Sequence, residues 1–209
     1  MAATKPSLVI IGAGGHAKVV ADCAEQLGYE DICMLDDGYP EIRECGCWPV
    51  VGGSDAIGTF ELDTVDCFVA IGNNAVRAKI TEQLNDIGAR LATLVHPTAV
   101  IGKHVVIGAG TLILANVVLN AFSSVGKACI LNTACSVDHD ANISDYVHIA
   151  PGSRLAGTVT VGANSFLGIG STVIQQVSIG ENVIIGAGST VITDIANDVI
   201  AIGSPARPK

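Results

Sequence analysis

Aromatic residues make up only 4% of this 209-residue chain, and charged residues only 15%. A core with so few rings must be built from aliphatic side chains. The hydrophobic content of 49% excludes a disordered chain, which lacks the apolar surface to order itself. Basic residues are scarcer than acidic ones, 11 against 20, for a net charge of -9. Nucleic-acid affinity rests on phosphate neutralisation by Lys and Arg, so no nucleic-acid partner is expected. Small anions remain possible, because backbone amides hold them without net positive charge. Long apolar runs are missing too: none approaches the ~20 residues of a membrane-spanning helix. The opening Met1 to Pro6 lacks the plan of a secretion signal, so a cytoplasmic protein without membrane insertion is expected. The seven cysteines are an odd number and lie mostly in apolar runs. Only Cys45 and Cys47 are closely spaced, and one C-x-C is weak evidence for zinc. They read as small hydrophobes in a reduced compartment, with no metal expected.

What the chain does have is glycine, 24 residues of it, and a period of six. Stepping by six from Val95 to Val191 meets Val, Ile or Leu at every step. Four places after each comes a small or β-branched residue, such as Thr111, Cys129, Ser153 or Val183. The place directly after the aliphatic is often Gly or Asn, as at Gly102, Gly108, Asn132, Gly162 and Gly186. A six-residue period fits neither a helix nor a meander; it fits a parallel β-helix of short strands joined by tight corners. On this reading the aliphatic fills the axis, the small residue lets the walls approach, and Gly or Asn supplies the corner backbone. The array runs from Val95 through the hexad of Val191 without a slip. Its only charges are Lys103, Lys127, Arg154, Asp138, Asp140, Asp145, Glu181 and Asp194. Walls so poor in charge suit contacts with other subunits.

Residues 1–94 follow other rules. Leu8 to Ile11 reads as a buried strand, followed by Gly12-Ala13-Gly14-Gly15-His16. A helix follows with Val19, Val20, Cys23 and Leu27 on one face and Gly28 as its stop. Ile32 to Leu35 is a second strand ending in Asp36-Asp37. Cys67 to Ile71 is a third, leading through Gly72-Asn73 to a helix that Asn74 can cap, with apolar face Val76, Ile80, Leu84 and Ile87. The pattern predicts a small parallel α/β unit, Rossmann-like but too short for both halves of a dinucleotide fold. Gly12-x-Gly14-x-x-Ala17 sits where a phosphate would lie on a helix N-terminus, with an acid further on at Asp36. A single nucleotide diphosphate fits this better than NAD. Acids outnumber bases in this stretch, so amides must carry the phosphates.

The combination of Ile11-Gly12-Ala13-Gly14-Gly15-His16-Ala17, Leu35-Asp36-Asp37, Ile71-Gly72-Asn73 and the hexads resembles the bacterial sugar acetyltransferases of the bacillosamine and perosamine pathways. Sialic-acid O-acetyltransferase-like proteins share the architecture. The likeness runs over 8–207 and includes the ending Gly203-Ser204-Pro205-Ala206-Arg207. It implies an α/β domain over 1–94 that holds a nucleotide-linked amino sugar. It also implies a left-handed, triangular β-helix over 95–209 with three hexads per coil, and a homotrimer with active sites between subunits. By this resemblance Gly14, Gly15 and His16 meet the phosphates and sugar, Asp36 and Asp37 the base and ribose, and Asn73 borders the site. His139 would be the general base, oriented by Asp140 where some relatives carry Glu. Acetyl-CoA would be bound by Asn132, His148, Gly157, Ile169, Gly186 and Ala187, with the Gly157 amide facing the thioester oxygen.

The chemistry fits those residue types. Acyl transfer from a thioester needs a base for the nucleophile's proton, a donor facing the carbonyl oxygen, and alignment of both substrates. His139-Asp140 places an imidazole beside a carboxylate that can fix its tautomer. Two places past Val137, His139 is off the core rows, as is His148, five past Ile143. His96 and His104 have no role by the resemblance. The expected activity is N-acetylation of a nucleotide-linked amino sugar by direct attack; O-acetylation of a sugar hydroxyl is the near alternative. A nicotinamide-dependent dehydrogenase and a non-catalytic scaffold are the distant ones.

Overall fold

The computed structural model describes residues 6–209 and divides into two compact units at Leu94/Val95. Most of the opening segment read above for a secretion signal, Met1 to Lys5, lies outside the described residues. In the first unit, β1 (Ser7–Ile11), α1 (Gly15–Gln26) and β2 (Ile32–Leu35) form one crossover unit. After β3 (Glu44–Cys45), β4 (Trp48–Gly52) and a 3-10 turn (Ser54–Thr59), the chain returns on the other side of β1. There β5 (Val65–Val69), α2 (Asn74–Asp86) and β6 (Arg90–Leu91) complete the sheet. Its order is β3-β4-β2-β1-β5-β6, all parallel except β3 against β4. The winding therefore reverses between β1 and β5, which puts the two helices on opposite faces and opens a crevice at the strands' C-terminal ends.

One face of that sheet packs Val9, Ile11, Val65, Cys67 and Val69 against Leu84 of α2 and Ile57 and Phe60 of the 3-10 segment. The alternate residues, Leu8, Ile10 and Phe68, are buried on the other face. The sequence placed the core strands well but missed β3 and β6, which are two residues each, and β4, which carries Pro49. It also mis-set both helix faces. On α1, Val19 is exposed and Ala17, Val20, Ala21, Cys23 and Ala24 are buried. On α2 the buried stripe is Arg77, Thr81 and Leu84, while Val76 and Ile87 face solvent. A hydropathy pattern cannot anticipate a buried arginine. The α2 cap is Asn73 rather than Asn74: its Oδ1 accepts from the Val76 N–H at 3.0 Å.

The second unit is a parallel β-helix of two-residue strands. Ile130–Leu131 pairs with His148–Ile149, and Ser136–Val137 with Arg154–Leu155, so each coil takes three hexads. The aliphatic row and the small row alternate around the strand's outward residue and both face the axis: Leu131, Cys135, Val137, Ala141, Ile143 and Val147 belong to one continuous core. Hydroxyls in the small row bond to the next corner's carbonyls, as Thr111 Oγ1 does to Gly126 O at 2.8 Å and Ser153 Oγ to Gly168 O at 2.9 Å. A buried hydroxyl so satisfied escapes the cost of lost hydration.

Two expectations about the hexads need correction. The left-handed corner residue is the third after the aliphatic, not the first, and is usually not glycine: His104, Phe122, Asp140, Tyr146 and Thr158 all have φ between 58° and 64°. Glycine directly after the aliphatic serves clearance instead. A Cβ on Gly108 would stand 2.5 Å from the backbone of Gly126 and Lys127, and one on Gly162 would stand 2.5 Å from Gly180 and Glu181. The repeat also slips within its last hexad. There Ile195 bridges to Ile179 and Ile200 pairs with Ile184, both two places short of the three-hexad interval. The C-terminal Arg207–Pro208 then folds back antiparallel on Ile200–Ile202.

Candidate functional site

The glycine loop lies at the reversal point of the α/β sheet, between β1 and α1. Gly12 has φ +102°, and a Cβ there would press on Ala70 O at 3.2 Å. Gly14 is the α1 cap residue, in extended geometry, and the first turn of α1 carries no acid. A Cβ added to Gly14 or Gly15 would meet nothing within 4 Å. Packing therefore does not demand glycine at these two places. They expose bare backbone at a helix N-terminus, an arrangement suited to a phosphate.

The side chains around this loop divide into braces and open groups. Asp36 is a brace: its carboxylate accepts from Ala13 N at 2.7 Å and Gly38 N at 2.9 Å. Asp37 accepts from Ser54 N at 3.0 Å and Ser54 Oγ at 2.6 Å through Oδ1, bonds that lower its pKa. Its other oxygen has no bond to a described residue. Asn73 spends its side-chain oxygen on the α2 cap. Arg77, which the sequence reading missed, is 1% exposed and donates to Ile71 O at 3.0 Å, Gly72 O at 3.2 Å and Asn74 Oδ1 at 2.8 Å. It anchors the loop after β5. Burial, and then the Arg77 charge, push the His16 pKa down to about 4, so this imidazole is neutral at pH 7. The only signal for Arg77 in the sequence is a cation at helical spacing between apolar residues.

In the β-helix, His139 and Asp140 occupy one corner. The left-handed φ of 58° at Asp140 turns the chain so that its Oδ2 lies 2.7 Å from His139 Nδ1. Both side chains are open to solvent, at 61% and 57%. The hydrogen bond to Asp140 raises the His139 pKa; desolvation opposes it, and the charges of Asp140 and Asp138 add to the rise. Asn120 donates through Nδ2 to Asp138 in a close contact. One coil on, Gly157 lies under the ring: a Cβ there would come within 2.7 Å of both Cε1 and Nε2 of His139. Its carbonyl accepts from Gln176 N, while its own N–H has no acceptor among the described residues.

His148 does not behave as an outward wall residue should. It is 9% exposed, with Asn132 Nδ2 3.3 Å from Nε2 and the Phe166 ring edge-on at 5.1 Å. These neighbours on its own wall cover it, so Asn132 and His148 form one local cluster. Ile169 is 57% exposed and Ala187 is also exposed, whereas Gly186 sits under Ile202 with no room for a Cβ. His96 is 9% exposed and closes a local turn, accepting from Thr98 N at 3.1 Å. All seven cysteines are free. Burial drives the Cys135 thiol up to about 12, and Cys33 and Cys67 to about 11, which leaves these three protonated and poorly nucleophilic. Among the described residues no group of three His, Cys, Asp or Glu could hold a metal ion, and no helix is long and apolar enough to cross a membrane.

Comparison with known proteins gives this geometry a context. Residues 7–84 match the PglD N-terminal domain, and 158–193 match the bacterial transferase hexapeptide repeats. A GDP-perosamine N-acetyltransferase of Escherichia coli is 31% identical over 169 residues, covering 73% of this chain and 76% of that one. The acetyltransferase domain of PglB from Neisseria gonorrhoeae, solved with acetyl coenzyme A, superposes with a TM-score of 0.95 at 37% identity, covering 98% of this chain and 100% of that one. PerB from Caulobacter crescentus, solved with CoA and GDP-perosamine, superposes with a TM-score of 0.92 at 39% identity, covering 97% of each chain. An α/β unit with a bare glycine loop, joined to a hexad β-helix with a His–Asp corner, places this chain in the family of PglD-like hexapeptide acetyltransferases.

Proposed function

We propose that the protein transfers the acetyl group of acetyl-CoA to the amino group of a nucleotide-linked amino sugar, a 4-amino-4,6-dideoxy sugar, by direct attack. The observation that carries this reading is the His139–Asp140 corner. Asp140 holds Nδ1 at 2.7 Å, leaving Nε2 above Gly157 as the proton acceptor. Nε2 takes the proton from the sugar amine as the nitrogen attacks the thioester carbonyl. The free N–H of Gly157 faces the negative charge that develops on the carbonyl oxygen. The imidazolium then returns its proton to the leaving CoA sulfur, and Asp140 stabilises the cation between the two events. The buried Cys135, its thiol held protonated, offers no competing acyl-enzyme.

The remaining roles follow the same reading. Amides of Gly14 and Gly15 hold the diphosphate, with neutral His16 beside it. Asp37 meets the nucleoside, and Asp36 and Asn73 act chiefly by bracing their loops. Asn132 and His148 position the acetyl end of the donor, and Ile169, Gly186 and Ala187 line its groove. A cytoplasmic homotrimer with sites between subunits completes the picture, consistent with β-helix faces that carry few charges.

Mass spectrometry of products from UDP-, dTDP- and GDP-linked amino sugars with acetyl-CoA tests the assignment. An added acetyl on nitrogen is expected, and His139→Ala should lower kcat on the order of 10²- to 10³-fold. Turnover unchanged in His139→Ala at saturating substrates would remove His139 from the mechanism. Acetyl found only on a hydroxyl would replace the amine with an alcohol acceptor.

A further inference from the structure

The corner that carries Asp140 is preceded, one and two coils earlier, by Phe122 and His104, each three hexads before the next. Their rings stack with centroids 4.8 Å apart and planes within 13°. Folding does not account for this pair. Phe122 is 62% exposed, so its ring gains little from burial, although the chain has only four Phe. Both residues hold φ of 64°, a left-handed conformation that is strained for a bulky side chain. Asn or Gly would fill these corners with less strain, as Asn116 and Gly110 do nearby.

Position gives the pair a use. Phe122 N bonds to Lys103 O and Asp140 N to Ala121 O, so the aromatic pair and the His139–Asp140 corner occupy adjacent coils, about 4.8 Å apart per step. Gly157 closes the His139 ring on the C-terminal side; the aromatic pair lies on the N-terminal side, one coil before Asp140 in the same corner row. We infer that Phe122, backed by His104, is a stacking platform for the apolar face of the acceptor sugar. This rests on the function proposed above. The amine must approach within hydrogen-bond reach of the imidazole, about 2.6–3.2 Å, which puts its own pyranose within a coil's step of that nitrogen. The nucleobase, separated by a ribose and a diphosphate, lies too far away to use this surface. A dideoxy sugar with a methyl group presents the kind of apolar face that an exposed ring holds.

Phe122→Ala and Phe122→Tyr test the platform. Phe122→Ala should raise the acceptor KM, and the Kd of the nucleotide amino sugar measured by calorimetry without acetyl-CoA, on the order of 10-fold. The KM for acetyl-CoA, the melting temperature and the sedimentation coefficient should stay at wild-type values, and Phe122→Tyr should restore acceptor binding. An unchanged acceptor Kd overturns the platform, as does a rise confined to the acetyl-CoA KM. A smaller oligomer in Phe122→Ala overturns it too, by making the ring a subunit contact. Failure of the wild-type protein to acetylate any nucleotide amino sugar would instead strike the proposed function, while the calorimetric comparison still decides the platform. Absence of any binding by the wild-type protein overturns both.

Discussion

Each unit of this protein sets one imidazole, and the two do so by opposite means. In the α/β unit His16 is tucked beside Arg77, and burial takes its pKa down to about 4. In the β-helix His139 stands in the open, and a hydrogen bond to its own neighbour Asp140 takes its pKa up. Desolvation disfavours the cation, whereas a paired carboxylate favours it. One fold therefore keeps one imidazole neutral at pH 7 and makes the other more basic. The glycines divide in the same way. Gly102, Gly108, Gly162 and Gly168 of the β-helix make room for backbone, while Gly14 and Gly15 make room for nothing the protein itself contains.

The largest effect that would break this contrast is a side chain in the wall. Gly162→Val should destabilise the β-helix by about 3 kcal/mol or more, because the obstacle is backbone, which cannot swing aside. Gly14→Ala should cost a few tenths of a kcal/mol while weakening nucleotide-sugar binding. Denaturant midpoints of the two variants compare them directly, and similar losses would show that both glycines are structural.

A second effect concerns pH. The His16 pKa is depressed on folding, so the unfolded chain binds the extra proton between pH 6.5 and about 4. Its contribution to stability is complete above pH 6.5 and is lost as pH falls toward 4, for a total of about 3 kcal/mol at most. His16→Gln should flatten that part of the stability curve, as read by urea melts at pH 7 and pH 4.5. A slope that survives the substitution would assign the effect to other groups.

The smallest effect tests the exposed ring. Activity should rise with pH through the raised His139 pKa, since the base must be unprotonated to act. Asp140→Asn replaces the charged acceptor that raises it with a neutral, weaker one. The acid limb of kcat/KM should move to lower pH and the plateau fall on the order of 10-fold. A limb that stays in place would belong to a group other than His139.

The hexads made the β-helix legible because its core repeats at one fixed interval, so each aliphatic from Val95 to Val191 confirms its neighbours. The His139–Asp140 corner was equally legible, since consecutive residues on a regular coil need no distant partner to meet. Local order carried less information in the α/β unit. Val76 and Arg77 are neighbours on one helix, and it is the loop after β5, whose Ile71 and Gly72 carbonyls accept from it, that turns the arginine inward. Asn73 in place of Asn74 as the cap is the same kind of miss, a one-residue choice made by the path of the chain.

Sequence alone thus determined the periodic core, the strand–glycine–helix head and the pairing of His139 with Asp140, all of them short-range patterns. Tertiary structure decided what those patterns mean in space. It made Gly108 and Gly162 clearances rather than corners, covered His148 with Asn132 and Phe166, and set Gly157 under the imidazole of His139, a full coil back along the chain. Such relations are steric contacts between coils, and steric contact depends on separation in space rather than along the chain.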